Sequence, residues 1–164
     1  MTNEVSNQNS DARFSQAATL LGYSFDGPIQ IGGNYVPVVQ HSNQLYVSGQ
    51  IPRVGDRAVI TGSAGDGVDL SQAQMAAKIC AMRALALLQR TLGSLDKVQA
   101  ILKINVYVQS SRAFTQQSEV ADGASEILYA VLGPMGSHTR TSVGVYQLPK
   151  NATVELDLIA VGQA

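Results

Sequence analysis

The sequence contains few charges and almost no cysteine, and both shortages exclude classes of protein. Only 14% of its 164 residues are charged, against about 25% in an average soluble protein. The net charge is −1 and no block of Lys or Arg occurs, so a nucleic-acid partner is not expected, because nucleic-acid-binding proteins carry a basic face. The single cysteine, Cys80, excludes an intrachain disulfide and is typical of a reducing compartment.

Two further absences concern location. Residues 1–10 are polar and lack the basic start and the apolar stretch of a secretory signal. No apolar run approaches the about 20 residues that cross a membrane. The sequence therefore predicts a cytoplasmic protein with no membrane partner. Its low charge also indicates a surface that is partly covered in an oligomer.

Motifs that would hold a metal or a cofactor are missing as well. Cysteine and histidine do not occur at the spacing of zinc ligands, and neither GxGxxG nor GxxxxGKS/T is present. A GxSxG nucleophile elbow is also missing, because Ser48 and Gly49 are not preceded by the first glycine. We therefore predict a site that needs neither metal nor cofactor.

The sequence indicates one folded domain over residues 11–164. A tail over residues 1–10, rich in Asn, Ser and Gln, is predicted to be disordered. A short helix, capped by Ser10 or Asp11, is expected to end at Gly22. Two longer helices are predicted at residues 70–92 and 119–132, where apolar residues recur at helical spacing and a glycine follows.

Strands are predicted from alternating or β-branched runs at residues 35–39, 44–48 and 98–108, in the closing segment, and briefly at 57–61. This order of elements predicts an α+β fold. In it, two helices cover one face of a mixed sheet, after the short N-terminal helix.

The other face of this sheet is expected to be half apolar. Strict alternation along residues 98–108 would turn the even-numbered residues, including Leu102 and Ile104, toward the core. The odd-numbered residues would then lie on the uncovered face. That face would carry, among polar groups, Ile101, Tyr107, Tyr146, Ile159 and Val161. Such a surface indicates that a partner covers it, and packing several subunits sheet to sheet would bury it.

The closing segment holds the residues with the most evident chemistry. Arg140 opens one strand, and the next strand carries Glu155 and Asp157. The planar fork of arginine can bind a carboxylate or a phosphate through two parallel hydrogen bonds, and a nearby carboxylate can orient or deprotonate water. The alternative is a structural ion pair of Arg140 with one of the two carboxylates.

Three segments, in this order along the chain, resemble the Rid family, also called the YjgF or L-PSP endoribonuclease-like family. Residues 33–37, GNYVP, are similar to its early tyrosine motif, and residues 45–52, LYVSGQIP, to its SGQ-P segment. Residues 138–143, HTRTSV, followed by LP at 148–149 and VEL at 154–156, are similar to its closing signature. The likeness covers roughly residues 33–161 and is nearest to a longer subgroup whose second helix carries NGAS where this chain has DGAS.

The resemblance implies a chorismate-mutase-like sandwich that forms homotrimers, with sites at the subunit interfaces. It implies a small-molecule substrate, a reactive enamine or imine that is hydrolysed to a carbonyl compound and ammonia. Arg140 would bind the carboxylate of the substrate and Glu155 would polarise the attacking water. Tyr35 and the backbone of Ser48 and Gly49 would line the pocket.

Several positions depart from the family pattern. Ser142 stands where family deaminases often have cysteine, and Asp122 where asparagine is typical. Asp122 would add negative charge near the cleft and weaken the binding of an anionic substrate. Thr139 replaces the alanine before the arginine, and His138 is a further pocket candidate because histidine is the side chain that ordinarily changes charge near neutral pH. Each of these side chains, like Tyr35, could instead be structural.

Two other functions stay open at this point. A trimer that binds a small carboxylate without catalysis would use the same pocket, because imine hydrolysis needs little more than a held substrate and an oriented water. An endoribonuclease acting on single-stranded RNA is favoured less, since the chain has no basic stretch to follow an RNA backbone.

Overall fold

The computed structural model describes residues 8–164, and its longest helix lies where the apolar spacing predicted it. The helices are α1 (Ser10–Leu21), α2 (Leu70–Leu92) and α3 (Gln117–Leu132). Helix α2 begins at a capping box, in which Asp69 and Gln72 each accept a hydrogen bond from the backbone N–H of the other. None of these helices, over residues 8–164, combines the length and the apolar character that a membrane crossing requires.

The N-terminal helix begins earlier than predicted. Asn9, and not Ser10 or Asp11, caps α1, since its side chain accepts from the backbone N–H of Ala12 at 2.8 Å. Ser10 is buried, and its backbone N–H donates to Asp96. The last two residues of the predicted tail therefore belong to the folded part, while residues 1–7 lie outside the described residues.

The strands are, in chain order, β1 (Val38–His41), β2 (Gln44–Gln50), β3 (Arg53–Val54), β4 (Arg57–Ala58), β5 (Ser63–Ala64), β6 (Gly67–Val68), β7 (Val98–Gln109), β8 (Thr139–Val145) and β9 (Val154–Gly162). Five of them form the main sheet, in the order β1-β2-β9-β7-β8. Within this sheet, only β7 and β8 are parallel, and α3 is the crossover between them. Two short ribbons, β3–β4 and β5–β6, replace the single strand predicted at 57–61.

Helices α2 and α3 pack closely against each other and against the sheet. Gly123 of α3 permits the close approach, because a Cβ there would lie 3.0 Å from the carbonyl carbon of Gln74 on α2. Helix α2 buries a stripe of small side chains that includes Cys80, whose thiol lies 3.7 Å from the carbonyl oxygen of Val154. The predicted α+β architecture is therefore confirmed.

The alternation predicted for β7 is wrong in its first half. The register between β7 and β9 shifts between Ile101 and Lys103, which is a β-bulge. The bulge turns Ile101 into the core, with 2% of its surface exposed, and leaves Leu102 40% exposed. Ile101 therefore does not belong to the uncovered face, and Tyr146 lies one residue beyond the end of β8.

Candidate functional site

Glu155 of β9 lines a small pocket beside the end of β2. Tyr35 and Gly49 line the same pocket, whose volume is about 100 Å³. The register between β2 and β9 shifts just before Gln50, and Gly49 lies in this bulge, against the Glu155 side chain. Glycine at this position leaves the Glu155 carboxylate where it is, because a Cβ on residue 49 would overlap Glu155 Oε1 and lie 2.9 Å from its Cδ.

The environment of Glu155 makes its carboxylate more basic. Burial raises the pKa of Glu155, and the charge of Asp157 raises it further. Asp157 is itself held in place, since Asn105 Nδ2 donates to it at 2.8 Å and Tyr107 shares a hydrogen bond with it. A carboxylate with a raised pKa, in a pocket, is suited to accept a proton from water.

Arg140 lies in a second cluster, where β8 meets α3. Its Nη1 donates to Asp122 Oδ1 at 2.9 Å and to Ser125 Oγ at 3.0 Å, and its Nη2 donates to Ser118 Oγ at 2.9 Å. The ion pair that was the structural alternative for Arg140 is present, but its partner is Asp122 and not a carboxylate of β9. The side chains of Arg140 and Asp122 are 21% and 56% exposed, so a ligand could reach both.

His138 belongs to this second cluster. Its Nδ1 lies 2.6 Å from the carbonyl oxygen of Gly136, which can only accept, so Nδ1 carries the hydrogen. In the neutral ring Nε2 is then an acceptor, and Ser125 Oγ donates to it at 2.9 Å. His138 therefore orients Ser125, which in turn contacts Arg140.

The two remaining predicted residues lie near separate clusters. Ser48 precedes Gly49, and its carbonyl oxygen and Oγ accept from Gln50 Nε2 at 3.1 and 3.3 Å. The Ser48 hydroxyl therefore helps to stabilise the bulge of β2. Ser142 follows Arg140 by two residues on β8, so it lies on the same face of the strand.

The two clusters lie on opposite faces of the sheet. Arg140 of β8 is paired with Ile104 of β7, and Glu155 of β9 is paired with Tyr107 of β7. Paired residues on adjacent strands point to the same face, whereas residues three apart on one strand, such as Ile104 and Tyr107, point to opposite faces. The structure therefore brings Tyr35 and Gly49 to Glu155, and Asp122, His138 and Ser142 to the side of Arg140.

Sequence reasoning missed Arg83, which also lines the Glu155 pocket. Arg83 is 4% exposed, and its Nε donates to the side chain of Gln50 at 3.2 Å. A signal was present, because a single arginine inside the apolar run at residues 79–88 must be buried, and a buried charge needs partners.

The sequence profile of the Endoribonuclease L-PSP family matches residues 28–162. The chain therefore belongs to this family, also called the YjgF or Rid family, and the resemblance of the three segments is confirmed.

Its relatives differ in what is known of them. The chain is similar to protein TCP17 of Trypanosoma cruzi, with 43% identity over 140 residues, 85% of this chain and 88% of that protein. It is 28% identical, over 79% of its length and 86% of the other, to a 2-iminobutanoate/2-iminopropanoate deaminase of Dermatophagoides farinae. The crystal structure of Atu1372 from Agrobacterium tumefaciens, described as a protein with unknown function, matches with a TM-score of 0.84 and 36% identity, over 94% of this chain and 95% of that one.

Proposed function

We propose that this protein hydrolyses a reactive imine or enamine to a carbonyl compound and ammonia. The observation that carries the proposal is Glu155, a carboxylate of raised pKa that faces a pocket through the gap left by Gly49. The 28% identity to a protein named as a 2-iminobutanoate/2-iminopropanoate deaminase supports the same reaction class.

The chemistry asks little of the protein. A protonated imine is already electrophilic at carbon, so the site has to hold it and to orient a water. Ionised Glu155 would accept a proton from that water while the water oxygen adds to the imine carbon. Protonated Glu155 then returns that proton to the nitrogen of the carbinolamine, and the C–N bond breaks with ammonia as the leaving group. Ammonia takes the hydroxyl proton as the C=O bond forms, so an iminium ion and water give a carbonyl compound and ammonium.

We infer that the complete site needs more than one copy of the chain. Arg140 would bind the carboxylate of an imino acid, but within one chain it lies on the other face of the sheet from Glu155. In a homotrimer, Arg140 of one subunit would approach the Glu155 pocket of the next. The same assembly would cover Tyr107 and Ile159 on the uncovered face. Buried, unpaired Cys80 fits a cytoplasmic site of action.

The decisive measurement is ammonia release from freshly generated 2-iminopropanoate and longer imino acids. Wild type, Arg140→Ala and Glu155→Ala are compared side by side. We expect wild type to accelerate release by about 10²- to 10⁴-fold, and both variants to lose the acceleration. If wild type accelerates the hydrolysis of no imino acid, the proposal is wrong.

A trimer that only binds a small carboxylate would use the same residues. This alternative would be supported if calorimetry shows that wild type binds a 2-oxo acid, that Arg140→Ala does not, and that wild type hydrolyses no imine. Cleavage of single-stranded RNA, the activity in the family's name, has less support, because the chain has a net charge of −1 and no Lys/Arg block.

A further inference from the structure

The Glu155 pocket is unusually rich in positive charge for this chain. Three cationic side chains line it, Arg53, Arg83 and Lys150, against the single carboxylate of Glu155. The whole sequence has 11 Lys and Arg and a net charge of −1. Within residues 8–164, the two ion pairs lie elsewhere, between α2 and α3 and between β8 and α3, so none of the three pocket cations has a carboxylate partner.

Arg83 is the cation whose position is hardest to explain without a ligand. A guanidinium has five N–H groups. Over the described part of the chain, Arg83 uses three of them, to Gln50 Oε1 at 3.2 Å and to the carbonyl oxygens of Arg53 at 2.8 Å and Gln30 at 3.3 Å. All three acceptors are neutral. Two N–H groups and the full charge therefore lack partners at a site that is 96% buried.

A purely structural role does not account for this arrangement. Arg90, two turns further along α2, already holds the segment that precedes Gln30, by donating to the carbonyl oxygens of Phe25 at 3.0 Å and of Gly27. Arg90 does so from an exposed position. Fastening this segment therefore does not require a buried charge, and burying an uncompensated charge is costly.

We propose that the substrate carries a second anionic group and that Arg83 binds it. The pocket would then prefer imino acids with an acidic side chain over those with an alkyl side chain. The inference rests on the proposed function, which assigns the first carboxylate to Arg140 of a second copy and the imine carbon to the water at Glu155. Lys150 and Arg53, at the edge of the pocket, would add to the attraction of a doubly charged ligand.

Both a carboxylate and a phosphate-like group would satisfy this site, because each offers anionic oxygens to a guanidinium. Binding of stable 2-oxo acids distinguishes a carboxylate from a phosphate-like group and does not depend on turnover. Calorimetry would compare 2-oxoglutarate with 2-oxopentanoate, and phosphonopyruvate with pyruvate. We expect at least one doubly charged compound to bind about 10- to 100-fold more tightly than its singly charged counterpart, the effect of one charge-assisted hydrogen-bonded contact.

Variants then assign the preference to Arg83. In Arg83→Gln the preference for the doubly charged ligand should disappear, and in Arg83→Lys it should be partly retained. Arg90→Gln is the matched control, since it removes an α2 arginine that donates to carbonyl oxygens but does not line the pocket, and it should keep the preference. Lys150→Gln changes an exposed side chain, so it should reduce the preference without affecting folding.

Turnover completes the test. Imines generated by an oxidase from glutamate and from norvaline would be compared, and wild type should show the higher kcat/KM for the imine of glutamate, with the difference mainly in KM. Equal affinity of wild type for singly and doubly charged 2-oxo acids would overturn the inference, even if imines are hydrolysed. A preference that requires Arg83, without hydrolysis of any imine, would support the anion site and overturn the proposed function.

Discussion

Arg140 and Glu155 lie two strands apart and on opposite faces of one sheet. Their positions along β7 differ by three residues, since one is paired with Ile104 and the other with Tyr107. Two strand spacings across the sheet and three residues along a strand are each about 10 Å, so the Cα atoms of the two residues are about 14 Å apart. Because the side chains point to opposite faces, their functional groups are further apart still. A small imino acid cannot contact both residues of one chain, so the proposed reaction requires the proposed oligomer.

Replacing the proposed base should increase stability and remove activity. The raised pKa of Glu155 means that the folded protein favours its neutral form. This contribution to stability is complete below the ordinary Glu pKa of about 4.3 and is lost as the pH rises through the raised value. Glu155→Gln should therefore abolish turnover and raise the Tm at pH 7, with little change in Tm at pH 4. A lower Tm at pH 7 would contradict this account.

Removing the neighbouring charge should shift the pH dependence of the reaction. Asp157 is the second cause of the raised pKa of Glu155, after burial. Asp157→Asn should lower that pKa, so that the acidic limb of kcat/KM moves to lower pH. Glu126→Gln, which removes a carboxylate from α3, should leave the limb in place. A limb that does not move in Asp157→Asn would show that another group controls it.

The fit between Gly49 and Glu155 can be tested with one methyl group. Gly49→Ala would place a Cβ against the carboxylate, and overpacking of this kind costs about 1–3 kcal/mol. We expect a lower Tm and at least a tenfold loss of kcat/KM. Gly27→Ala is the control, because no atom lies within 4 Å of a Cβ there. Equal losses in both variants would mean that the effect is not specific to the pocket.

Asp122 should weaken the binding of an anionic substrate by Arg140. Asp122→Asn keeps an acceptor for Arg140 but removes the charge, so the KM for an imino acid should fall several-fold. The ion pair is partly exposed, and such pairs contribute about 0–1 kcal/mol. The Tm should therefore change by only a few degrees in thermal denaturation. An unchanged KM would place the substrate carboxylate away from Arg140.

The sequence predicted the helices and the sheet well, because their signals are local. The capping residues and apolar stripe of α2 specify its ends and its buried face. The bulge of β7 was not predictable in the same way. The extra residue of the bulge is Leu102. Because Ile101 and Leu102 are both apolar, the bulge leaves no trace in the pattern of hydrophobicity.

The site was predicted in part. Motif resemblance singled out Tyr35, Gly49 and Glu155, which the structure brings into one pocket. It could not identify Asp122 as the ion partner of Arg140, because that contact depends on how α3 lies over β8. The pattern of α2 also could not identify Arg83 as a pocket residue, since a helical stripe does not show which of its borders is covered by a distant loop.

The chain's single thiol is shielded from solvent and remains protonated. Cys80 is fully buried beneath β9, and burial raises its pKa far above the ordinary range. An iminium ion is electrophilic at carbon, and a thiolate is the nucleophilic form of cysteine. If the proposed reaction holds, the folded protein therefore offers its own substrate no cysteine thiolate to add to the imine carbon.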